Sequence, residues 1–375
     1  MIRVLHVMGR MAPGGTEHQL VGMLEAAHGR HWEATLCVLS TGWEMTDRVH
    51  AAGIRTVELE GFTKVDLRRA SRLRRLAYGA DVVHASLWGA SAFARVVTAG
   101  PGRPALVVSE RGVEADRRPI LNVVNRILRP VTDGYVGNSR SVVDFVRATH
   151  GIEDADPRVV AIPNGLDPKI FHPVARSSSN PKRRRRLIGV GRLVPSKRFE
   201  LAMSVLAQLI KEIDLELVIV GDGPERARLE ALAHELPVTF HGHVSERHAL
   251  ADLLRSSDLL VMPSASEGYP NAVLEALACG LPVVASDVPG TREAAGPGVR
   301  LVDDSPAAWC DAIREALADP PMTWPQIADR ILSFDEVARR HLNVFEDAMA
   351  RRQLISDRVH ARRGTLRSST EARHD

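Results

Sequence analysis

Short apolar runs alternate with amphipathic stretches along all 375 residues, and this alternation restricts the fold more than any other feature. RVLHV (3–7), ATLCVL (34–39), DVVHA (81–85), ALVVS (105–109) and GYVGN (134–138) occupy the first half. LIGVG (187–191), LELVIVG (215–221), VTFHG (238–242), DLLVMP (258–263) and LPVVAS (281–286) occupy the second. Runs of this length that are nearly continuous in apolar residues suit strands covered on both faces, whereas strands with one wet face alternate. The intervening segments have helical spacing. In 16–27, Thr16 is placed to cap and Gln19 completes a capping box. The pattern predicts an α/β protein with two doubly wound parallel sheets.

A chain of this length exceeds what one hydrophobic core supports, so two domains are expected. Periodicity stops in HPVARSSSNPKRRRRL, and the interdomain linker is assigned to 173–186, with KRRRR read as solvated. The division is 1–175 for an N-terminal domain and 176–333 for a C-terminal one. A helix over 334–350, with Val337, Ala338, His341, Leu342 and Phe345 on one face, packs back toward the first domain, and 351–375 is a polar, frayed tail.

An apolar share of 45% and a charged share of 25% are ordinary for a globular protein. No run approaches about 18 apolar residues, and the start MIRVLHVMGR lacks a signal-peptide pattern, so neither a membrane span nor a leader is expected. Cys37, Cys279 and Cys310 lack metal-ligand spacing and read as reduced buried thiols, which favours the cytoplasm. A net charge of +3 suits anionic partners, but an aromatic share of 4% offers no stacking platform for nucleic acid, which is not expected as a partner.

The stretch PSASEGYPNAVLEALACGLPVVAS (263–286) carries the chemistry. Pro270 suits the first position of a helix, Gly280 the position just past its end. The helix then starts at the carboxyl end of DLLVMP, where open α/β sheets bind ligands. The segment from Gly268 and Tyr269 through Pro270 to Asn271, whose free N–H groups (Pro270 has none) open the helix, favours an anion or sugar hydroxyls. Glu267 sits at the mouth, and Glu275 lies about 7.5 Å along the helix at roughly 1.5 Å per residue. Two carboxylates so placed can grip two sets of hydroxyls on one elongated ligand; a solvated glutamate on a surface helix is the alternative.

GVGRLVPSKRFEL (189–201) starts like a dinucleotide fingerprint but has Val194 where the third glycine belongs. It offers Arg192 and Lys197 on a loop entering a helix, with Ser196 as cap, a pair suited to phosphate oxygens. VGDGP, with Gly221, is a turn after a strand; FHGHVS, with Val244, ends a neighbouring strand and walls the same cleft. GGTEHQL puts Gly14 and Gly15 between the first strand and its helix, where backbone can approach a diphosphate closely.

The ordered set GGTE, NSRSV, IPNGLD with Phe171, GRLVPSK, VGDGP and SEGYPNAVLEALACGLPVVAS resembles the family-4 retaining glycosyltransferases. The resemblance runs from about Arg3 to Ala350. It implies the GT-B fold, two Rossmann-like domains facing across a cleft. It also implies a nucleotide-diphosphate sugar as donor substrate, of UDP or GDP type, with no cofactor. Glu275 would bind the ribose hydroxyls, Arg192 and Lys197 the diphosphate, and Glu267 with the amides of 268–271 the donor sugar; Gly15, Gly221 and Val244 complete the donor contacts. No D-x-D triplet reads as a cation holder, so metal independence is expected.

Two positions depart from the family. SERG presents Arg111 where many members have a histidine that contacts the donor sugar, and Ser86 follows His84 where a second histidine is common. His84 and Arg111 are therefore candidate sugar or acceptor contacts. Arg68, Arg69, Arg72, Arg74 and Arg75 on one helix, with Arg117 and Arg118, suggest an anionic lipid surface on the inner face of the membrane and a glycan or lipid-linked acceptor. A solvated helix face explains the same arginines. A sugar-nucleotide epimerase, a phosphorylase or a non-catalytic sugar-nucleotide-binding protein are the alternative functions. A nicotinamide dehydrogenase is disfavoured, because no acidic residue follows the motif at a strand end about twenty positions on.

Overall fold

Every one of the ten apolar runs forms a strand in the computed structural model, which describes residues 1–60, 66–113, 119–174, 184–319 and 331–371. The first sheet contains β1 (Ile2–Met8), β2 (Trp32–Val38), β3 (Arg55–Glu58), β4 (Val82–Ser86), β5 (Ala105–Glu110), β6 (Gly134–Gly137) and β7 (Val159–Ala161), all parallel, in the order β3-β2-β1-β4-β5-β6-β7. A two-residue β8 (Gly165–Leu166) follows. The second sheet contains β9 (Arg185–Val190), β10 (Leu215–Val220), β11 (Val238–Gly242), β12 (Leu259–Met262), β13 (Val283–Ser286) and β14 (Val299–Val302). It is also parallel, in the order β11-β10-β9-β12-β13-β14. β15 (Leu332–Ser333) pairs with β8.

The first-unit helices are α1 (Gly15–Ala27), α2 (Glu44–Ala51), α3 (Leu67–Tyr78), α4 (Trp88–Thr98), α5 (Pro119–Leu128) and α6 (Arg140–His150). The second sheet is accompanied by α7 (Phe199–Leu209), α8 (Arg226–Leu232), α9 (Arg247–Arg255), α10 (Asn271–Ala278), α11 (Pro289–Ala294) and α12 (Pro306–Ala318). The last helix, α13 (Phe334–Glu371), continues well past residue 350, through sequence expected to be frayed.

The chain divides into one unit of Met1–Asn138, Val142–Pro163 and Phe334–Asp375, and another of Ser139–Ser141 and Asn164–Ser333. The division thus falls between Pro163 and Asn164, ahead of the expected 175. The β8–β15 pairing and the burial of Phe171 in the second unit's core hold 164–174 there. Most of the expected linker, with Lys182 and Arg183, lies outside the described residues. The rest of the basic run is partly exposed, as expected, but is not all linker: β9 begins at Arg185, and Arg184, Arg185 and Arg186 pair with Asp214, Asp258 and Glu216.

Two cap assignments shift. α1 begins one residue before Thr16, with Gly14 at the cap position, where an added Cβ would lie 2.6 Å from Glu17 Oε2. Ser196 lies within a 3₁₀ turn, Pro195–Lys197, and α7 starts after Arg198, whose φ of +48° is in the left-handed region.

α13 packs on α1, β5 and β6, and its buried face includes Val337, Ala338, His341 and Phe345, with Leu342 half-buried. Beneath it lies a histidine network that follows from strand register, since β1 and β4 place His6 beside His84. Trp32 Nε1–H donates to His6 Nε2 at 3.1 Å, so the proton of neutral His6 is on Nδ1. His6 Nδ1 then donates to His84 Nδ1 at 3.0 Å, and His84 Nε2 donates to Ser109 Oγ at 2.6 Å. His341 Nδ1–H donates to the Val337 carbonyl at 2.8 Å, and its Nε2 is buried with no partner among the described residues.

Burial lowers all three histidines, His6 to about 3, His341 to about 4 and His84 well below its usual value. The folded protein therefore keeps them neutral while the unfolded chain takes up protons below about pH 6.5. Stability is complete above pH 6.5 and is lost as pH falls, by up to about 1.4 kcal/mol per pH unit for each histidine. Thermal unfolding followed by circular dichroism is expected to show Tm falling between pH 6.5 and 5. His341→Leu is expected to make that fall shallower.

Candidate active site

The order of the second sheet reverses between β9 and β12, so the loops that follow these two strands diverge and leave a crevice at the sheet's carboxyl edge. Lys197 comes from the loop after β9 and Glu267 from the loop after β12. Lys197 Nζ donates to Glu267 Oε1, both side chains being mostly buried. The same loops are joined by Ala265 N–H to the Ser196 carbonyl at 2.8 Å. Arg198 extends the clamp: Nε donates to the Pro263 carbonyl at 2.7 Å, and Nη2 to Ser286 Oγ at 3.0 Å and Asp304 Oδ1 at 2.6 Å. One left-handed residue thereby ties the segments that follow β12 and β14 to the end of β13. Arg192 lies on the first of these loops with its side chain exposed.

α10 starts at Asn271, with Pro270 in the cap position, one residue later than the sequence suggests. The preceding turn is held from an unexpected direction. Asn164 Nδ2 donates to the Tyr269 carbonyl at 3.0 Å and to Asn271 Oδ1 at 2.7 Å, so the asparagine of IPNGLD fixes the helix start. Gly280, with φ +75°, ends α10 as expected. Tyr269 and Val244 pack against the apolar cluster that includes Val273, Ala276 and Leu277.

Glu275, on the buried side of α10, is 4% exposed. Its Oε1 accepts from Arg247 Nη2 at 2.5 Å. Thus each carboxylate singled out in the sequence already has its own cation, Lys197 for Glu267 and Arg247 for Glu275. Such pairing is what makes the burial of an ionised carboxylate tolerable.

Glycines in these loops serve close backbone approach. At Gly221, φ is +142° and an added Cβ would lie 1.9 Å from the Gly191 carbonyl oxygen; at Gly223 it would lie 2.4 Å from that of Leu193. VGDGP therefore backs the GRLVP loop, which Leu193 N–H to the Asp222 carbonyl, at 2.9 Å, also secures. Gly290, at the start of α11, plays the same part for SEGYP: an added Cβ would lie 2.2 Å from the Glu267 carbonyl oxygen and 2.4 Å from that of Gly268.

Three further candidates lie in the first unit. Gly15 opens α1. The expectation that His84 contacts sugar or acceptor does not hold: it is 1% exposed, and both ring nitrogens are taken by His6 and Ser109. Arg111 is partly buried near Glu17 of GGTE; burial lowers its guanidinium to about 10, and Glu17 opposes that shift. The D-x-D triplet Asp154–Ala155–Asp156 lies between α6 and β7, where Asp156 accepts from Arg158. Among the described residues no group of three or more His, Cys, Asp or Glu is placed to hold a metal ion.

Sequence reasoning did not find Asn164, Arg198, Arg247 or Gly290. Asn164 lies in a quoted motif, and Gly290 follows a proline just after a strand, but nothing in the sequence tied either to SEGYP. Arg198 and Arg247 are two arginines among many, set apart only by tertiary contacts.

Two family models match the chain, Glycosyltransferase Family 4 over residues 13–170 and Glycosyl transferases group 1 over 173–328. With the two parallel-sheet units and these loops, they place the chain among the glycosyltransferases of GT-B fold, in the family-4 and group-1 superfamily. A GDP-mannose-dependent alpha-(1-6)-phosphatidylinositol dimannoside mannosyltransferase of Mycobacterium tuberculosis is 36% identical over 193 residues, 49% of this chain and 48% of that protein. A D-inositol 3-phosphate glycosyltransferase of Xylanimonas cellulosilytica is 31% identical over 248 residues, 59% and 58% of the respective chains. The match thus spans about half the length of these relatives. The crystal structure of Anabaena Alr3699/HepE in complex with UDP and glucose superposes with a TM-score of 0.72 at 18% identity, covering 95% of this chain and 100% of that one, which supports the fold.

Gly290→Ala is expected to displace the SEGYP loop and to destabilise the protein by about 1–3 kcal/mol, the usual cost of overpacking. Gly89→Ala, where an added Cβ meets nothing within 4 Å, is expected to be neutral. Urea unfolding of both variants checks this.

Proposed function

We propose that the protein transfers a sugar from a nucleotide-diphosphate sugar, of UDP or GDP type, to an acceptor hydroxyl on a glycan or lipid-linked glycan, with retention at the anomeric carbon. The observation that carries this reading is the Lys197–Glu267 pair at the sheet's switch point, with Glu275 buried on the helix that follows. The GDP-mannose-dependent relative favours GDP as the first nucleotide to test.

In this reading the bond from the anomeric carbon to the diphosphate oxygen breaks, and the leaving nucleotide takes its electron pair. The acceptor oxygen bonds to the anomeric carbon, and its proton passes to the departing phosphate oxygen. Negative charge thus grows on the diphosphate, where Lys197, Arg192 and the amides at the start of α10 stabilise it. Glu267 keeps the Lys197 ammonium in place before the donor arrives and accepts hydroxyls of the donor sugar. Glu275 accepts the ribose hydroxyls. A fixed donor of this kind is worth about 3 kcal/mol at the transition state, roughly 100-fold in rate.

Lys197→Ala and Glu275→Ala are expected to weaken nucleotide binding by about tenfold or more, and Glu267→Ala to lower turnover far more than stability. Calorimetric titration with UDP, GDP, ADP, CDP and dTDP, followed by anomeric analysis of the product, tests this. Wild-type behaviour in all three variants refutes the site. Nucleotide binding without turnover on any acceptor favours a non-catalytic sugar-nucleotide-binding protein, and sugar interconversion without an acceptor favours an epimerase.

A peripheral site on an anionic membrane leaflet, on the cytoplasmic side, fits the first unit. α3 packs on α4 and α4 on α5, and none of these helices contains Asp or Glu. Arg68, Arg72, Arg75 and Arg126 are exposed, beside the exposed apolar residues Leu67, Val96, Ile120, Val123 and Ile127. Ile120, Val123 and Ile127, at 61%, 50% and 70% exposure, share one face of α5. Not all five arginines of α3 contribute: Arg69 lies over the Phe93 ring, and Arg74 donates to the Val97 and Ala99 carbonyls. Arg117 and Arg118 lie outside the described residues. Among the described residues no helix is long and apolar enough to cross a membrane.

Each exposed cation near an anionic leaflet contributes about 1 kcal/mol. Flotation with phosphatidylglycerol vesicles at low salt is expected to carry the protein up, and Arg68→Glu with Arg72→Glu and Arg75→Glu to abolish this. No flotation of the wild-type protein refutes the membrane reading.

A further inference from the structure

Glu275 is the carboxylate that the nucleotide reading assigns to the ribose, yet the structure gives its charge a partner that no motif announces. Arg247 Nη2 donates to Glu275 Oε1 at 2.5 Å, and the same guanidinium lies over the Phe171 ring, 4.7 Å from its centroid. Three segments meet in this stack: the stretch that follows IPNGLD, the start of α9 and the middle of α10.

Each member is held independently of the others. Phe171 is 1% exposed within the core of the second unit, and its N–H donates to the Asp167 carbonyl at 3.0 Å. Arg247 is the first residue of α9, whose start is fixed by Glu246, a capping side chain that accepts the Ala249 N–H at 2.6 Å. Glu275 is fixed by α10. The guanidinium is thus set between an aromatic face and a carboxylate, an arrangement that suits its flat, delocalised charge. Its side chain is 18% exposed against 5% for Glu275, so the cation is the more accessible of the two.

Two consequences follow for a ligand that reaches Glu275. Arg247 supplies the compensating charge that a buried carboxylate requires, and carboxylate oxygens accept hydrogen bonds. The bond from Arg247 uses Oε1 alone, which anchors one oxygen of the carboxylate and leaves Oε2 outside that bond. Vicinal hydroxyls are donors matched to such an acceptor.

We propose that Arg247, stacked on Phe171, is the positioning residue of the ribose subsite, neutralising and orienting Glu275 so that it accepts the ribose hydroxyls of the donor nucleotide. The proposal rests on the nucleotide-sugar reading and adds to it a residue, a mechanism and a part of the ligand on which that residue acts.

The test is calorimetric titration of the full chain with UDP and GDP and with their 2′,3′-dideoxy counterparts, which lack the hydroxyls in question. The proteins compared are the wild type, Arg247→Gln, Arg247→Lys, Glu275→Gln and the Arg247→Gln/Glu275→Gln double variant. Arg247→Gln is expected to weaken the ribonucleotide about tenfold and to leave the dideoxynucleotide unchanged. Arg247→Lys, which keeps a charge but not the stacked plane, is expected to recover part of the loss. The double variant is expected to bind no more weakly than Glu275→Gln alone. Equal losses on ribo- and dideoxynucleotides overturn the proposal, because a merely structural residue acts on both; so does a ribose preference that Arg247→Gln leaves intact. Should Arg247→Gln fail to fold by circular dichroism, the same comparison is read from Arg247→Lys, where an unaltered ribose preference overturns it. A wild-type protein that binds neither nucleotide, or binds the dideoxy forms equally well, instead overturns the assignment of Glu275 to ribose.

Discussion

The pairing of β9 with β12 is the contact on which the second unit turns. Leu187 opposes Leu259 and Ile188 opposes Leu260, all buried, so two strands far apart in sequence run side by side at the centre of the sheet. Because β10 and β11 extend from one side of this pair and β13 and β14 from the other, the loops at its carboxyl end part and cannot cover each other. A crevice at that place is a consequence of topology. The Lys197–Glu267 pair spans it, and Arg198 binds its floor through Pro263, Ser286 and Asp304.

Charge in this crevice is organised before any ligand is considered. Lys197 answers Glu267 and Arg247 answers Glu275, so neither carboxylate is buried alone. The first unit contains a comparable buried pair, Arg103 with Asp133, but there the carboxylate also accepts the Leu106 N–H and serves strand packing. Burial and pairing are therefore shared by structural and candidate functional ions. The crevice pairs differ in that Lys197 and Glu267 lie on loops and Arg247 and Glu275 on the helices α9 and α10, with a cation in each pair that solvent can reach.

Much of the fold was legible because a strand buried on both faces must be apolar at nearly every position. The strands that escaped notice all lie at sheet edges, β3, β7 and β14 in the two large sheets and β8 and β15 in the two-stranded pair, where fewer neighbours cover them; RTVE and VRLV carry charge. The end of the linker is hidden for a related reason. Arg185 and Arg186 begin a strand although the basic run carries no strand pattern, because acidic residues at Asp214, Glu216 and Asp258 are brought beside Arg184 to Arg186 by pairing with β10 and by the approach to β12. No local pattern encodes a neutralising partner that lies about 30 to 70 residues away.

What the sequence determined by itself was the class of fold, the place of the helix that carries Glu275 and the loop that carries Lys197. These depend on periodicity and on turn residues, which act over a few neighbouring positions. Tertiary structure decided which groups are available for chemistry. It enclosed His84 between His6 and Ser109, set Asn164 behind Tyr269, gave Glu275 to Arg247, and pressed Gly290 against the carbonyl of Glu267. Each of these is a contact between segments distant in the chain, made at ångström tolerance by packing that no short stretch of residues specifies.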